Sequence, residues 1–80
     1  KIIDLRKNEL TALPGQLFQT TQEINEISLC YNKMSILNAT LFWGLKNLIG
    51  LQVRHNRLTF IDGYDLFFKF IFNNNGKTVQ

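Results

Sequence analysis

The stretch INEISLCYNKM, residues 24–34, decides the fold of this 80-residue chain. Its apolar side chains alternate at Ile27 and Leu29, and this period of two is typical of a short β-strand with both side chains inward. Asn32 follows at the point where the chain leaves the strand. Its amide can both donate to and accept from backbone groups that a turn leaves unpaired. The stretch therefore predicts a strand that ends in a turn held by an asparagine side chain.

The same pattern recurs every 24 residues along the chain. Sliding the sequence by 24 positions aligns apolar residues with apolar residues and asparagine with asparagine. The aligned sets are Ile3, Ile27 and Leu51; Leu5, Leu29 and Val53; Asn8, Asn32 and Asn56; Leu10, Met34 and Leu58; Leu13, Leu37 and Ile61; and Phe18, Phe42 and Leu66. At 45% hydrophobic content, chance produces the apolar matches with a likelihood on the order of one in a hundred thousand. The chain is therefore a repeat protein.

Strands spaced in this way can pair in parallel when the intervening chain returns to the same edge of the sheet. The sequence thus predicts an α/β-type solenoid over residues 1–72, with short parallel strands on a concave face and irregular or short helical convex segments. The predicted repeats are 1–23, 24–47 and 48–72. The aligned asparagines are expected to form a ladder that satisfies turn backbone, and the aligned Phe18, Phe42 and Leu66 to stack on the convex side.

The repeat pattern is expected to stop before a polar tail at residues 73–80. A fourth repeat in the same register would place apolar residues where Asn75 and Lys77 stand. The tail is predicted to be disordered or a truncated continuation of the repeats. The Phe-rich stretch at 66–72 is more apolar than its slot requires, and no flanking cysteines cap the repeats, so we expect a piece of a longer solenoid.

Composition excludes several classes of protein. The longest apolar stretch, residues 66–72, is broken by Lys69 and is far shorter than the roughly 20 residues that cross a bilayer. One cysteine and one histidine cannot build a disulfide framework or a Cys/His zinc site. A net charge of +3 is too small and scattered for nucleic-acid binding. No cofactor and no membrane contact are expected from this segment.

The repeats resemble the leucine-rich repeat family, whose pattern L-x-x-L-x-L-x-x-N-x-L is matched at residues 24–34 and 48–58. The resemblance covers residues 2 to about 66 and implies a right-handed coil. Residues 10–18 look like the 24-residue "typical" subclass, which is found mostly outside cells. Lys69, where that subclass usually has leucine, and the Phe-rich stretch around it depart from the pattern.

Residues 13–21, followed at once by a strand pattern, resemble the ectodomain repeats of Toll and Toll-like receptors. That resemblance implies innate-immune signal transduction by a single-pass receptor that binds a protein or microbial ligand and pairs with a second ectodomain. Two alternatives use the same repeat: an adhesive or matrix protein, and a short secreted protein that acts as a soluble binder. All three are extracellular, and an intracellular scaffold is disfavoured by the subclass.

Binding is expected at the outward strand positions, because they are free to vary without harm to the core. The candidates are Asp4, Arg6, Lys7, Glu26, Ser28, Tyr31, Gln52, Arg54 and His55. Tyrosine and arginine often dominate the energy of protein interfaces, which favours a protein ligand. The alternative is a solvated sheet surface. An enzyme is not expected, since Ser28, His55 and Asp4 lie on different repeats and no pocket is predicted around them.

Three further residues have a candidate role, and His55 has a second one. Asn38 begins the sequon Asn-Ala-Thr and is expected at the surface, where it would carry a glycan in a secreted chain. Cys30 is predicted to be a small outward residue half covered by its arginine neighbours, with a free thiol or a partner outside this segment as alternatives. Trp43 is expected in convex packing. His55 could sense acid, but a lone surface histidine usually does not.

Overall fold

The short strands predicted from the apolar alternation are present, and each is three residues long or less. The computed structural model describes residues 1–21, 23–42 and 44–63, and the backbone of 78–79. The elements are strands β1 (Ile2–Asp4), β2 (Glu26–Ser28), β3 (Ile36–Asn38), β4 (Gly50–Gln52), β5 (Phe60–Asp62) and β6 (Thr78–Val79), with one 3₁₀ helix, η1, at Ala39–Phe42. No helix in the described part of the chain is long and apolar enough to span a membrane.

The main sheet has the strand order β1-β2-β4-β6, and all its pairs are parallel. Ile3, Ile27 and Leu51 lie side by side across its first three strands. Hydrogen bonds extend the pairing beyond the strand ends, from the Leu5 N–H to the Ser28 carbonyl at 2.9 Å. The predicted parallel sheet with a 24-residue period is therefore confirmed. The handedness of the coil stays a prediction.

β6 falls inside the segment that the sequence predicts as a tail. Its residues pair with β4, Thr78 opposite Gly50 and Val79 opposite Leu51. The spacing between these strands is therefore 28 residues, whereas the earlier strands are 24 apart. A 24-residue spacing places the next inward strand positions at residues 75 and 77. It therefore does not detect a strand that begins at residue 78. At Thr78 and Val79 the backbone continues the sheet.

A second parallel sheet, separate from the main sheet, was not predicted. It contains β3 and β5, in which Ile36 pairs with Phe60 and Leu37 with Ile61. The first repeat has Pro14 at the position of Asn38, and residues 1–21 contain no strand there. Proline lacks an N–H donor and is poorly tolerated within a sheet, which accounts for the difference.

The apolar core lies between the two sheets and is centred on the middle repeat. Its most buried side chains are Phe42, Ile24, Ile27, Leu29, Met34, Leu37, Leu45, Leu48 and Leu51. The aligned residues of the outer repeats, such as Ile3 and Val53, pack against this cluster but are only partly buried. A middle repeat has neighbours on both sides, so its inward side chains lose contact with water most completely.

The segments opposite the main sheet are short turns and the 3₁₀ helix, as predicted. Bonds from residue i to i+3 shape them, including Leu17 N–H to the Pro14 carbonyl at 3.1 Å. The Phe18 and Phe42 rings stack with centroids 6.3 Å apart and planes 25° apart. The convex stack is therefore present for these two rings. Leu66 and Trp43 lie outside the described residues.

Candidate functional site

Asparagine side chains hold the turns that end the main strands. The Asn32 Nδ2 donates to the carbonyls of Leu29, at 2.9 Å, and Leu5, at 3.0 Å, while Oδ1 accepts from the Leu10 N–H at 3.1 Å. Leu5 and Leu10 belong to the first repeat and Leu29 to the second. One amide thus ties two neighbouring repeats together and satisfies backbone groups of both.

Asn56 bonds in the same way one repeat further along. Its Nδ2 donates to Leu29 and Val53 carbonyls at 2.9 and 3.0 Å, and its Oδ1 accepts from the Met34 N–H at 3.1 Å. Asn8 instead bonds to carbonyls of its own repeat, with a 3.0 Å bond to Leu5. Asn32 is buried, whereas Asn8 is exposed. The ladder therefore fixes the strand ends most firmly around the middle repeat.

The residue before each ladder asparagine has a left-handed backbone. Lys7, Tyr31 and His55 each have a φ of 60°. The Lys7 N–H bonds to the Cys30 carbonyl at 3.1 Å and the Tyr31 N–H to the Arg54 carbonyl at 3.0 Å, which keeps these turns in register. This conformation costs a residue with a Cβ roughly 1–2 kcal/mol. Because the three turns share this conformation, the three side chains project from equivalent positions just beyond the carboxyl ends of the strands.

Two of these side chains form an exposed aromatic pair. The Tyr31 and His55 rings stack with centroids 4.3 Å apart and planes only 10° apart. Tyr31 nevertheless remains 52% exposed. An aromatic ring offers a large contact area with few rotatable bonds, so little conformational entropy is lost when a partner covers it. The pair was not predicted, although the 24-residue spacing of these two positions could have indicated it.

Asp4 and Arg6 satisfy each other on the exposed face of β1. The guanidinium donates through Nε and Nη2 to the two carboxylate oxygens, each at 2.9 Å. Side-chain hydrogen bonds from Arg6 hold the pKa of Asp4 below its ordinary value, with its backbone N–H contributing. The same pairing raises the pKa of Arg6. Both side chains are solvent-exposed, so the pair orients these residues more than it stabilises the fold.

Two outward positions on β2 and just beyond it are less accessible than the pattern suggests. Cys30 is only 7% exposed, so the prediction of a half-covered residue is wrong. Its neighbours in register are Arg6 and Arg54, whose long side chains can cover a small one. Ser28 is half-buried, and its Oγ is buried without a hydrogen-bond partner in the described part of the structure. Neither residue offers its polar atom freely to a ligand.

Glu26 lies over a glycine of the neighbouring strand. A Cβ built on Gly50 would lie 3.3 Å from the Glu26 Cγ, which is tighter than an ordinary contact. The absence of a side chain at Gly50 therefore leaves room for Glu26 to lie across β4. Gln52, further along the same strand, is exposed.

Most of the predicted binding residues share one exposed surface. The exposed members are Asp4, Arg6, Lys7, Glu26, Tyr31, Gln52, Arg54 and His55. We call this surface, formed by the outward side chains of β1, β2 and β4 and the turns after them, the strand face. Across the described residues, no group of three or more His, Cys, Asp or Glu side chains could hold a metal ion.

Asn38 lies at the end of β3, away from the strand face, and is half-buried. Its Oδ1 accepts from the Thr40 N–H at 3.0 Å and from the Thr40 hydroxyl at 2.7 Å. The side chain therefore caps the first turn of η1. Both bonds use Oδ1, whereas an N-linked glycan is attached through Nδ2.

Parallel strands β1, β2 and β4 at a 24-residue spacing, joined by a ladder of asparagine amides, define a repeat protein whose main sheet has an exposed face. The family model for leucine rich repeats matches residues 1–64, and the chain belongs to the leucine-rich repeat family. The family implies a solenoid fold, and its repeats generally mediate protein binding. Neither a curated protein nor a solved structure matches the chain significantly.

Proposed function

We propose that the chain binds a protein ligand through the strand face and acts as a recognition module, not as an enzyme. The observation that carries this proposal is that each strand directs alternate side chains into the core and toward solvent. Alternate side chains such as Ile27 and Leu51 fill the core, while the polar side chains between them are held outward in register by backbone pairing. A rigid sheet that displays polar and aromatic groups binds without much ordering cost.

We further propose that this module works outside the cell, as part of a Toll-like receptor ectodomain that binds a protein or microbial ligand and pairs with a second receptor. The support is the 24-residue repeat and the resemblance of residues 13–21 to such ectodomains. An adhesive or matrix protein, or a soluble secreted binder, would use the same strand face. These alternatives differ only in the kind of protein that contains the repeats.

Binding at the strand face is tested by selection and substitution. We expect short random peptides displayed on phage and panned against the chain to yield binders that lose about tenfold in affinity when Arg54 becomes alanine. Arg54→Ala suits this test better than Arg6→Ala, because Arg6 is already paired with Asp4. Lys46→Ala, in the turn between η1 and β4, is the matched control and should bind normally. Binders that respond only to Lys46→Ala would place recognition elsewhere.

The extracellular setting is tested at Asn38. When the chain is expressed through the secretory pathway of a eukaryotic cell, we expect a glycan on Asn38, because the sequon is complete and the residue is partly accessible. Enzymatic removal of N-glycans should reduce the apparent mass, and Asn38→Gln should abolish that change. Asn47→Gln, outside any sequon, is the control. A secreted chain with no glycan would count against this setting.

A further inference from the structure

Charges on the strand face are segregated by sign along the strand direction. Asp4 and Glu26 lie within the strands, whereas Lys7 and Arg54 lie beyond the strands' carboxyl ends. Arg57, two residues after His55, is also exposed. Apart from Glu9, which follows the turn of the first repeat, the acidic side chains of the strand face lie within the strands and the basic ones lie beyond them.

Ion pairs among the described residues do not neutralise the basic side. Arg6 is paired with Asp4, and Lys33 lies 3.6 Å from a carboxylate oxygen of Glu9. Among the described residues, Lys7, Arg54 and Arg57 form no ion pair. Neighbouring exposed cations repel each other, and a negatively charged partner would relieve this repulsion.

The aromatic pair lies among these cations. Tyr31 and His55 occupy the same left-handed turn positions as Lys7, and Arg54 immediately precedes His55. Glycine or asparagine would adopt this backbone at lower cost, and none of the three side chains packs into the core. Strained positions that carry large exposed side chains are typical of ligand contacts.

We infer that this basic rim, made of Lys7, Tyr31, Arg54, His55 and Arg57, binds an acidic segment of the partner protein. The inference rests on the proposed function and specifies the partner's chemistry. Arginine can form two parallel hydrogen bonds to one carboxylate, and arginine and tyrosine contribute strongly to binding energy at protein interfaces. Aspartate or glutamate side chains of the partner contact the cations, and an apolar or aromatic side chain covers the Tyr31 ring.

A protein segment fits the rim better than a nucleic acid. Neighbouring strands are about 4.8 Å apart, so the rim extends roughly 10 Å across its three repeats. A protein that contacts about 6–10 phosphates of duplex DNA needs a longer basic stripe than this. Glu26 lies in the strand beside the rim and forms no ion pair with the other described residues, so it would repel a uniform polyanion, whereas a protein can present both signs of charge.

The peptides selected on the wild-type chain provide the test. We expect them to be enriched in aspartate and glutamate relative to the starting library, and to bind more weakly as salt is raised. The double variant Arg54→Glu/Arg57→Glu should weaken their binding by at least about tenfold, and Tyr31→Ala by a similar factor. Lys46→Glu, which also reverses an exposed cation, should leave binding unchanged. Circular dichroism of each variant verifies that these surface substitutions preserve the fold.

The outcomes separate this inference from the proposed function. Selected peptides without acidic enrichment that still lose affinity with Gln52→Arg would overturn the acidic rim and leave binding at the strand face intact. Peptides insensitive to every substitution on the strand face, or no selected peptides at all, would overturn both. If single-stranded DNA or heparin competes at the rim and the peptides are not acidic, the rim is a polyanion site and the inference fails.

Discussion

Replacement of Asn32 by alanine is expected to lower the free energy of unfolding by about 3 kcal/mol. The substitution removes the partner of the Leu10 N–H and the donor to the Leu5 and Leu29 carbonyls. A buried backbone group that loses its partner costs about 1–3 kcal/mol, and more than one group is affected here. An 80-residue domain has only about 4–12 kcal/mol of stability in total. The substitution should therefore remove roughly a quarter to three quarters of the chain's stability.

Two variants identify the hydrogen bonds as the cause. Asn32→Asp keeps the oxygen that accepts from Leu10 but loses the N–H donors and places negative charge against carbonyl oxygens. It should destabilise the chain about as much as Asn32→Ala. Asn8→Ala removes an exposed amide that bonds only within its own repeat, so its effect should stay below about 1 kcal/mol.

Urea denaturation followed by circular dichroism measures all three variants on the same scale. Equal midpoints for Asn32→Ala and Asn8→Ala would show that bonding between repeats contributes little. A stable Asn32→Asp would show that the donors are dispensable. In either case the ladder would not be what holds neighbouring strand ends together.

The period of the main strands can be predicted from the sequence because packing imposes it directly. Ile27 must face a core and Asn32 must satisfy a turn, and both needs recur whenever a new strand is added. The second sheet is not predictable in the same way. Ile36 and Phe60 pair across it but are 54% and 58% exposed, so their apolar character does not indicate which way they point.

The binding surface is less visible in the sequence than the core. Alternation identifies outward positions but does not show how accessible each one is, and Cys30 is covered although its position points outward. The Tyr31–His55 stack depends on a left-handed backbone at both residues. Only a few per cent of residues other than glycine adopt that conformation, so the presence of a tyrosine or a histidine does not predict it. β6 escapes detection because its spacing differs from the repeat.

Replacement of Phe42 by alanine is the second change with a large expected effect. The ring is fully buried and stacks on Phe18. Its removal takes apolar surface out of the core and leaves a cavity, for which Phe→Ala substitutions typically cost about 3–5 kcal/mol. We expect the urea midpoint to fall at least as far as for Asn32→Ala, but through lost packing.

Two matched substitutions distinguish packing from other effects at Phe42. Phe42→Leu retains most of the apolar volume and loses only the ring, so it should cost clearly less than Phe42→Ala. Leu17→Ala changes an apolar side chain that is 43% exposed in the same region opposite the main sheet, and should cost under about 1.5 kcal/mol. If Phe42→Ala and Leu17→Ala shifted the urea midpoint equally, the phenylalanine stack would not support the core. A large loss with Phe42→Ala alone would show that the turns opposite the sheet are held by this ring, and that the strand face depends on packing behind it.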